Sequence, residues 1–130
     1  MRTKWLQRSV APAGPFLCLC LSEEEFRQAI AHLKATDSPK WVNSGAHATT
    51  HIFENSDGDS TCIVCLSEER HNRKPTQIAA LLVHEAVHIW RHHCMKLGEQ
   101  RPGEEQEAYG IQFISEHLMQ EYARRCSTQS

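Results

Sequence analysis

Apolar residues along the chain follow two spacings, one typical of β-strands and one typical of helices. Three short apolar or alternating runs predict strands, at residues 16–21, 49–54 and 61–66. Three longer segments repeat apolar residues at helical spacing, from Ser22 to about residue 35, from Pro75 onward and from Pro102 onward. The order strand, helix, strand, strand, helix, helix predicts an α+β fold, with a small, mainly antiparallel sheet packed on the helices.

Local signals mark where several of these elements begin and end. Ser22, followed three residues later by Glu25, predicts a capping box at the start of the first helix. Asp57-Gly58 predicts a hairpin turn between the second and third strands. The linker around it is rich in Asp but lacks the full spacing of an EF-hand, so a turn is favoured over a calcium loop. Residues 68–74 predict a charged loop before the second helix.

Length and composition favour one domain without a membrane segment. With 130 residues, we expect an N-terminal arm or loop at 1–15, one domain at 16–126 and a short tail at 127–130. The apolar run at 16–21 is too short for a signal peptide, and no stretch approaches the ~20 apolar residues of a membrane span. We therefore expect a cytoplasmic protein. A formal net charge of −2 gives no strong case for nucleic-acid binding.

The second helix carries the residues with the strongest chemical signal, His84-Glu85-Ala86-Val87-His88. Residues four apart on a helix lie one turn above each other, so His84 and His88 can bind one metal ion. Glu85 lies about 100° around the helix from His84, where its carboxylate can act as a general base. This H-E-x-x-H spacing predicts zinc-assisted hydrolysis.

The surroundings of the motif strengthen this interpretation. From residue 76 to 90, Glu85 is the only Asp, Glu, Lys or Arg. A carboxylate in so apolar a helix is costly unless it is paired or linked to a metal. The alternative interpretation is a buried helix with two satisfied histidines and a surface glutamate.

A third ligand is expected on the following helix, because catalytic zinc sites usually have three protein ligands. At about 100° per residue, Glu107 lies on the same stripe as Ile111 and Ile114. Glu104 lies at the margin of this stripe, and Glu105 faces solvent. An acidic helix N-terminus favoured by the helix dipole is the alternative, and it explains Glu104 and Glu105 better than Glu107.

These residues resemble a known family. His84-Glu85-x-x-His88, followed about twenty residues later by Glu107-Ala108, is similar to the gluzincin group of zinc metallopeptidases, which includes thermolysin-like enzymes. The segment from 104 to 119 is also similar to ImmA/IrrE-type peptidases, which act on prophage and stress repressors. The resemblance covers residues 76 to about 122. It implies a minimal zincin fold in which His84, His88 and Glu107 hold Zn²⁺ and an edge strand, 49–54 or 61–66, binds an extended peptide.

One position departs from the family pattern. Thermolysin-like enzymes have an Asp one turn after the ligand Glu, where it braces a zinc-binding histidine, and this chain has Ile111 there. The residues that support the metal ligands must therefore differ. The sequence does not place a residue in the position of the family's transition-state-stabilising His or Tyr.

The resulting hypothesis is a zinc metallopeptidase that cleaves a peptide bond in a specific protein or peptide target, as expected for a phage or regulatory protein. The alternative is a non-catalytic, zinc-binding interaction or regulatory protein that keeps the zincin scaffold. A DNA-linked peptidase of the SprT type is disfavoured, because the chain lacks the basic module of such proteins.

The six cysteines offer a second metal or disulfide interpretation. Cys18 and Cys20 lie on one face of a predicted strand. Cys62 and Cys65 are three apart on another strand and point to opposite faces, which argues against a zinc knuckle. Without a secretory signal, we expect reduced thiols.

Overall fold

Seven elements follow one another in the predicted order, with one short addition. The structure is a computed structural model that describes residues 15–36, 39–54, 59–98 and 103–129. The elements are β1 (Phe16–Cys20), α1 (Glu23–His32), β2 (Ala48–Glu54), β3 (Ser60–Leu66), a 3-10 helix (Glu68–Asn72), α2 (Pro75–Leu97) and α3 (Glu104–Gln129). The 3-10 helix occupies part of the segment predicted as a charged loop. None of the described helices is long and apolar enough to cross a membrane.

The three strands form one mixed sheet in the order β1-β3-β2. The central strand β3 runs parallel to β1 and antiparallel to β2. The α+β class is therefore confirmed, but the prediction of a mainly antiparallel sheet is wrong. The physical reason is that α1 and the segment after it carry the chain back past the sheet, so the β2–β3 hairpin places β3 beside β1 in the same direction.

Helices cover both faces of this sheet. Side chains alternate along β3, so Cys62, Val64 and Leu66 pack under α2 and α3, whereas Ile63 and Cys65 pack under α1. Every residue of β3 is buried for this reason. The same double cover explains why β1 is apolar along its whole length rather than alternating.

The predicted capping box forms and also anchors the end of α3. Ser22 Oγ accepts a hydrogen bond from the Glu25 amide at 3.2 Å, and Glu25 Oε1 accepts one from the Leu21 amide at 3.1 Å. The other carboxylate oxygen of Glu25 pairs with Arg125, whose side chain is fully buried. One glutamate thereby joins the β1–α1 junction to the last turns of α3.

Element ends differ from the predicted boundaries at several places. Helix α1 ends at His32, before the predicted residue 35, because Lys34 adopts a left-handed conformation with φ of 56°. Helix α3 runs through the predicted tail to Gln129. The predicted arm up to residue 14, the hairpin turn at Asp57-Gly58 and the helix start at Pro102 lie outside the described residues.

Helices α2 and α3 approach closely at one glycine. A Cβ atom on Gly110 would lie 2.4 Å from the ring of Trp90, which is itself buried. Only glycine lets the two helix backbones pack at this distance. The contact places Glu107, one turn earlier on α3, against α2.

We predict that Gly110→Ala destabilises the protein. A helical Gly→Ala change ordinarily gains about 0.5–1 kcal/mol, but here the methyl group must displace a packed indole. We expect a net loss of about 1–3 kcal/mol in the free energy of unfolding, measured by urea denaturation. Gly103→Ala is the control, because no atom lies within 4 Å of its added Cβ. A Gly110→Ala protein as stable as the parent would contradict the close packing.

Candidate metal centre

Helix α2 presents two histidines on one exposed face. Pro75 at its first turn and the left-handed Gly98 after its last turn set a helix of 23 residues. His84 and His88 lie one turn apart near its middle. Their Nε2 atoms are 3.3 Å apart, and their ring centroids are 5.0 Å apart. The two imidazoles therefore converge on a single point above the helix.

This separation fits two ligands of one zinc ion. Nitrogens bound at ~2.0–2.1 Å to a tetrahedral zinc lie about 3.3 Å from each other. The same distance also allows one imidazole to donate a hydrogen bond to the other. The His84 side chain is 67% exposed, so a cation can reach the pair from solvent.

Glu85 lies on the side of α2 that faces the sheet. It is only 4% exposed, and Thr50 on β2 donates a hydrogen bond of 2.7 Å to its Oε1 atom. The other oxygen, Oε2, lies 4.0 Å from Nε2 of His84. One oxygen is thus held by the sheet while the other lies near His84.

Thr50 was missed by the sequence reasoning. It lies 35 residues before Glu85, and its side chain meets the carboxylate only because β2 packs beside α2. The helix position of Glu85 indicated that it needs a partner. The partner itself depends on the register of a strand in a sheet and has no signal in a single sequence.

Glu107 reaches α2 but meets another residue there. Its side chain is 27% exposed, and its Oε1 lies 3.3 Å from Nη2 of Arg91, which follows His88 by one turn. Glu105 is exposed, as its helix position predicts, and Glu104, predicted at the margin of the stripe, is exposed as well. Within the described ranges, no three His, Cys, Asp or Glu side chains are gathered as a metal-binding group. The structure brings two of the three predicted ligands together and pairs the third with a guanidinium.

The other two histidines of α2 point away from this face. His92 Nε2 lies 3.2 Å from Oε1 of Glu54 on β2. His93 is buried and packs against Trp90, with ring centroids 5.8 Å apart. Burial lowers the pKa of His93, and the neighbouring His92 and Lys96 lower it further. Both side chains thus have partners elsewhere in the fold, and His84 and His88 remain as the exposed pair.

Three of the cysteines, Cys18, Cys20 and Cys65, form a separate buried group under α1. All six are free, and five are buried. Sγ of Cys20 lies 4.0 Å from Sγ of Cys18, and hydrogen bonds from Cys18 and Cys65 lower the pKa of Cys20 to about 5. The prediction that Cys62 and Cys65 face opposite sides of their strand is confirmed, since they belong to different core clusters.

Comparisons with known proteins give no match. No protein-family model matches the chain, and no curated protein or solved structure matches it. The case for a function therefore depends on the chain's own residues and their geometry.

We predict that His84→Ala or His88→Ala abolishes stoichiometric zinc binding, because one imidazole cannot replace two converging ones. Metal analysis after equilibration with one equivalent of zinc measures this directly. His71→Ala, at an exposed position of the 3-10 helix, is the control and should bind zinc like the parent. Full zinc binding by both α2 variants would disprove a metal site at this pair.

Proposed function

We propose that the chain is a zinc-dependent metallopeptidase that cleaves a peptide bond in a specific protein or peptide target. His84, His88 and Glu107 are the proposed ligands of Zn²⁺, and Glu85 is the proposed general base. The observation that carries this proposal is the convergence of His84 and His88 Nε2 at 3.3 Å beside a buried carboxylate.

Each side chain of α2 has a distinct task in this proposal. The histidines supply two neutral nitrogen ligands on an exposed face. When bound, zinc supplies a Lewis acid that polarises the scissile carbonyl and activates water. Glu85 accepts the proton of the attacking water and returns it to the leaving amine. Thr50 fixes Oε1 of Glu85, so that Oε2 faces the histidines and is available for this transfer.

Glu107 is the proposed third ligand because α3 delivers its carboxylate to the same helix. Its oxygen Oε1 pairs with Arg91, and Oε2 has no hydrogen-bond partner among the residues that the structure describes. Zinc accepts a carboxylate through one oxygen at ~2.0–2.2 Å. The proposal requires Oε2 of Glu107 to reach a cation held by the histidine pair while Oε1 keeps its contact with Arg91.

The sheet edge beside the site supports an extended peptide as substrate. Of the two strands predicted as candidates, β3 is central and β2 is at the edge. Thr50 ties β2 to Glu85, so this edge runs next to the proposed base. An extended chain added along β2 through main-chain hydrogen bonds would pass the histidine pair. We therefore propose β2, Ala48–Glu54, as the strand that aligns the substrate.

We predict that Glu85→Gln retains zinc but loses hydrolysis by about 10²–10⁴-fold, because an amide cannot accept the proton. Cleavage of a randomised peptide mixture, followed by mass spectrometry, measures the rate. Thr50→Val should give a smaller loss, since it frees the carboxylate without removing it. Glu116→Gln, exposed on α3, is the control.

The outcomes of that assay separate the two candidate functions. An active Glu85→Gln protein would rule out general-base catalysis by this residue. A parent protein that binds zinc stoichiometrically yet cleaves no peptide in the mixture would favour the non-catalytic zinc-binding alternative.

We predict that Glu107→Ala lowers zinc affinity by orders of magnitude, whereas Glu105→Ala leaves it unchanged. Glu105 contributes only a surface dipole interaction, worth ~0.3–1 kcal/mol of stability at most. Zinc titration against a competing chelator measures both variants. Glu104→Ala completes the series, because Glu104 lies at the margin of the helix stripe. If only the Glu104→Ala variant loses zinc, Glu104 is the third ligand. If all three variants keep zinc, the third ligand lies elsewhere, and His92, His117 or a cysteine is the next residue to test.

A further inference from the structure

Helix α3 provides no bracing partner for its own Glu107. The positions one turn away on either side are occupied by Gly103, Glu104, Gly110 and Ile111. Two of these have no side chain, one is aliphatic and one repels a carboxylate. None can donate a side-chain hydrogen bond, so any group that orients Glu107 must come from another element.

Arg91 of α2 is that group. It follows His84 by seven residues and His88 by three, which places it within about 20° of His84 around the helix. Its Nη2 atom lies 3.3 Å from Oε1 of Glu107. The contact therefore brings the Glu107 carboxylate to α2 at a residue that lies three positions after His88.

We infer that Arg91 is a positioning residue for Glu107: its guanidinium holds Oε1, so that Oε2 is presented to the cation bound by His84 and His88. This inference rests on the proposed function. Carboxylates that bind metals are commonly hydrogen-bonded through their other oxygen, which fixes their orientation. Arginine suits this task because its planar, permanently charged donors retain their geometry at every working pH.

A purely electrostatic role would have the opposite effect. The positive charge of Arg91 repels a bound cation, so repulsion alone predicts that removing the charge strengthens zinc binding. The Arg91 side chain is 62% exposed, and solvent and salt screen this repulsion. The orienting effect acts through a direct contact and is not screened in the same way. We therefore expect orientation to dominate, and the sign of the change in affinity distinguishes the two effects.

The experiment is a zinc titration against a competing chelator for the full chain and three variants. Arg91→Met keeps the length of the side chain without its donors and should weaken zinc binding by about 10–100-fold. Arg91→Lys retains one cationic donor and should recover part of the loss. Arg27→Met is the matched control, since it removes an exposed ion pair of 3.0 Å with Glu23 on α1. It should bind zinc like the parent.

Repeating Arg91→Met in a Glu107→Ala background tests whether Arg91 acts through Glu107. The second substitution should then cause no further loss of zinc affinity. Equal or tighter zinc binding by the single Arg91→Met variant would overturn the inference, as would an undiminished loss in the Glu107→Ala background. Either result would contradict the role of Arg91 but not the proposed function, provided that the parent protein binds zinc. A parent that binds no zinc removes the proposed function and this inference together.

Discussion

The packing of α2 against both the sheet and α3 is the constraint on which the site depends. Its buried side carries Leu82, Ala86 and Ile89 into the main core, and Trp90 fills the contact with α3. Because a helix is rigid about its axis, fixing these side chains also fixes the opposite face. His84 and His88 are consequently held outward together, without any contact that buries them. The histidine geometry is thus a consequence of core packing.

Much of this architecture could be predicted because its causes are local. Ser22 and Glu25 define a helix start within four residues, and the apolar periods identify each strand and helix. The pairing of β1 with β3 could not be predicted, because it depends on how a long connection returns to the sheet. The end of α1 at His32 had no signal either, since a lysine such as Lys34 rarely adopts the left-handed conformation that stops the helix.

The residues of the candidate site likewise fall into those placed by local helix geometry and those placed by long-range packing. The spacing of His84, Glu85 and His88 follows from helix geometry alone, and the structure reproduces it. The partners Thr50 and Arg91 come from tertiary packing, across 35 residues to Glu85 and 16 residues to Glu107 respectively. A motif can name the groups that take part in a reaction. The groups that orient them depend on which surfaces of the fold meet.

The burial of Glu85 is the strongest support for the proposed chemical role of this helix face. A carboxylate that is 4% exposed has lost most of its hydration, and a single hydrogen bond from Thr50 replaces only part of it. A role in stability alone would be served better by an apolar side chain in this position, next to Leu82 and Ile89. The other carboxylate oxygen lies 4.0 Å from Nε2 of His84, where a bound cation or a proton in transfer would stabilise it. The proposed catalytic role accounts for both the energetic cost and the direction of this side chain, whereas core packing alone accounts for neither.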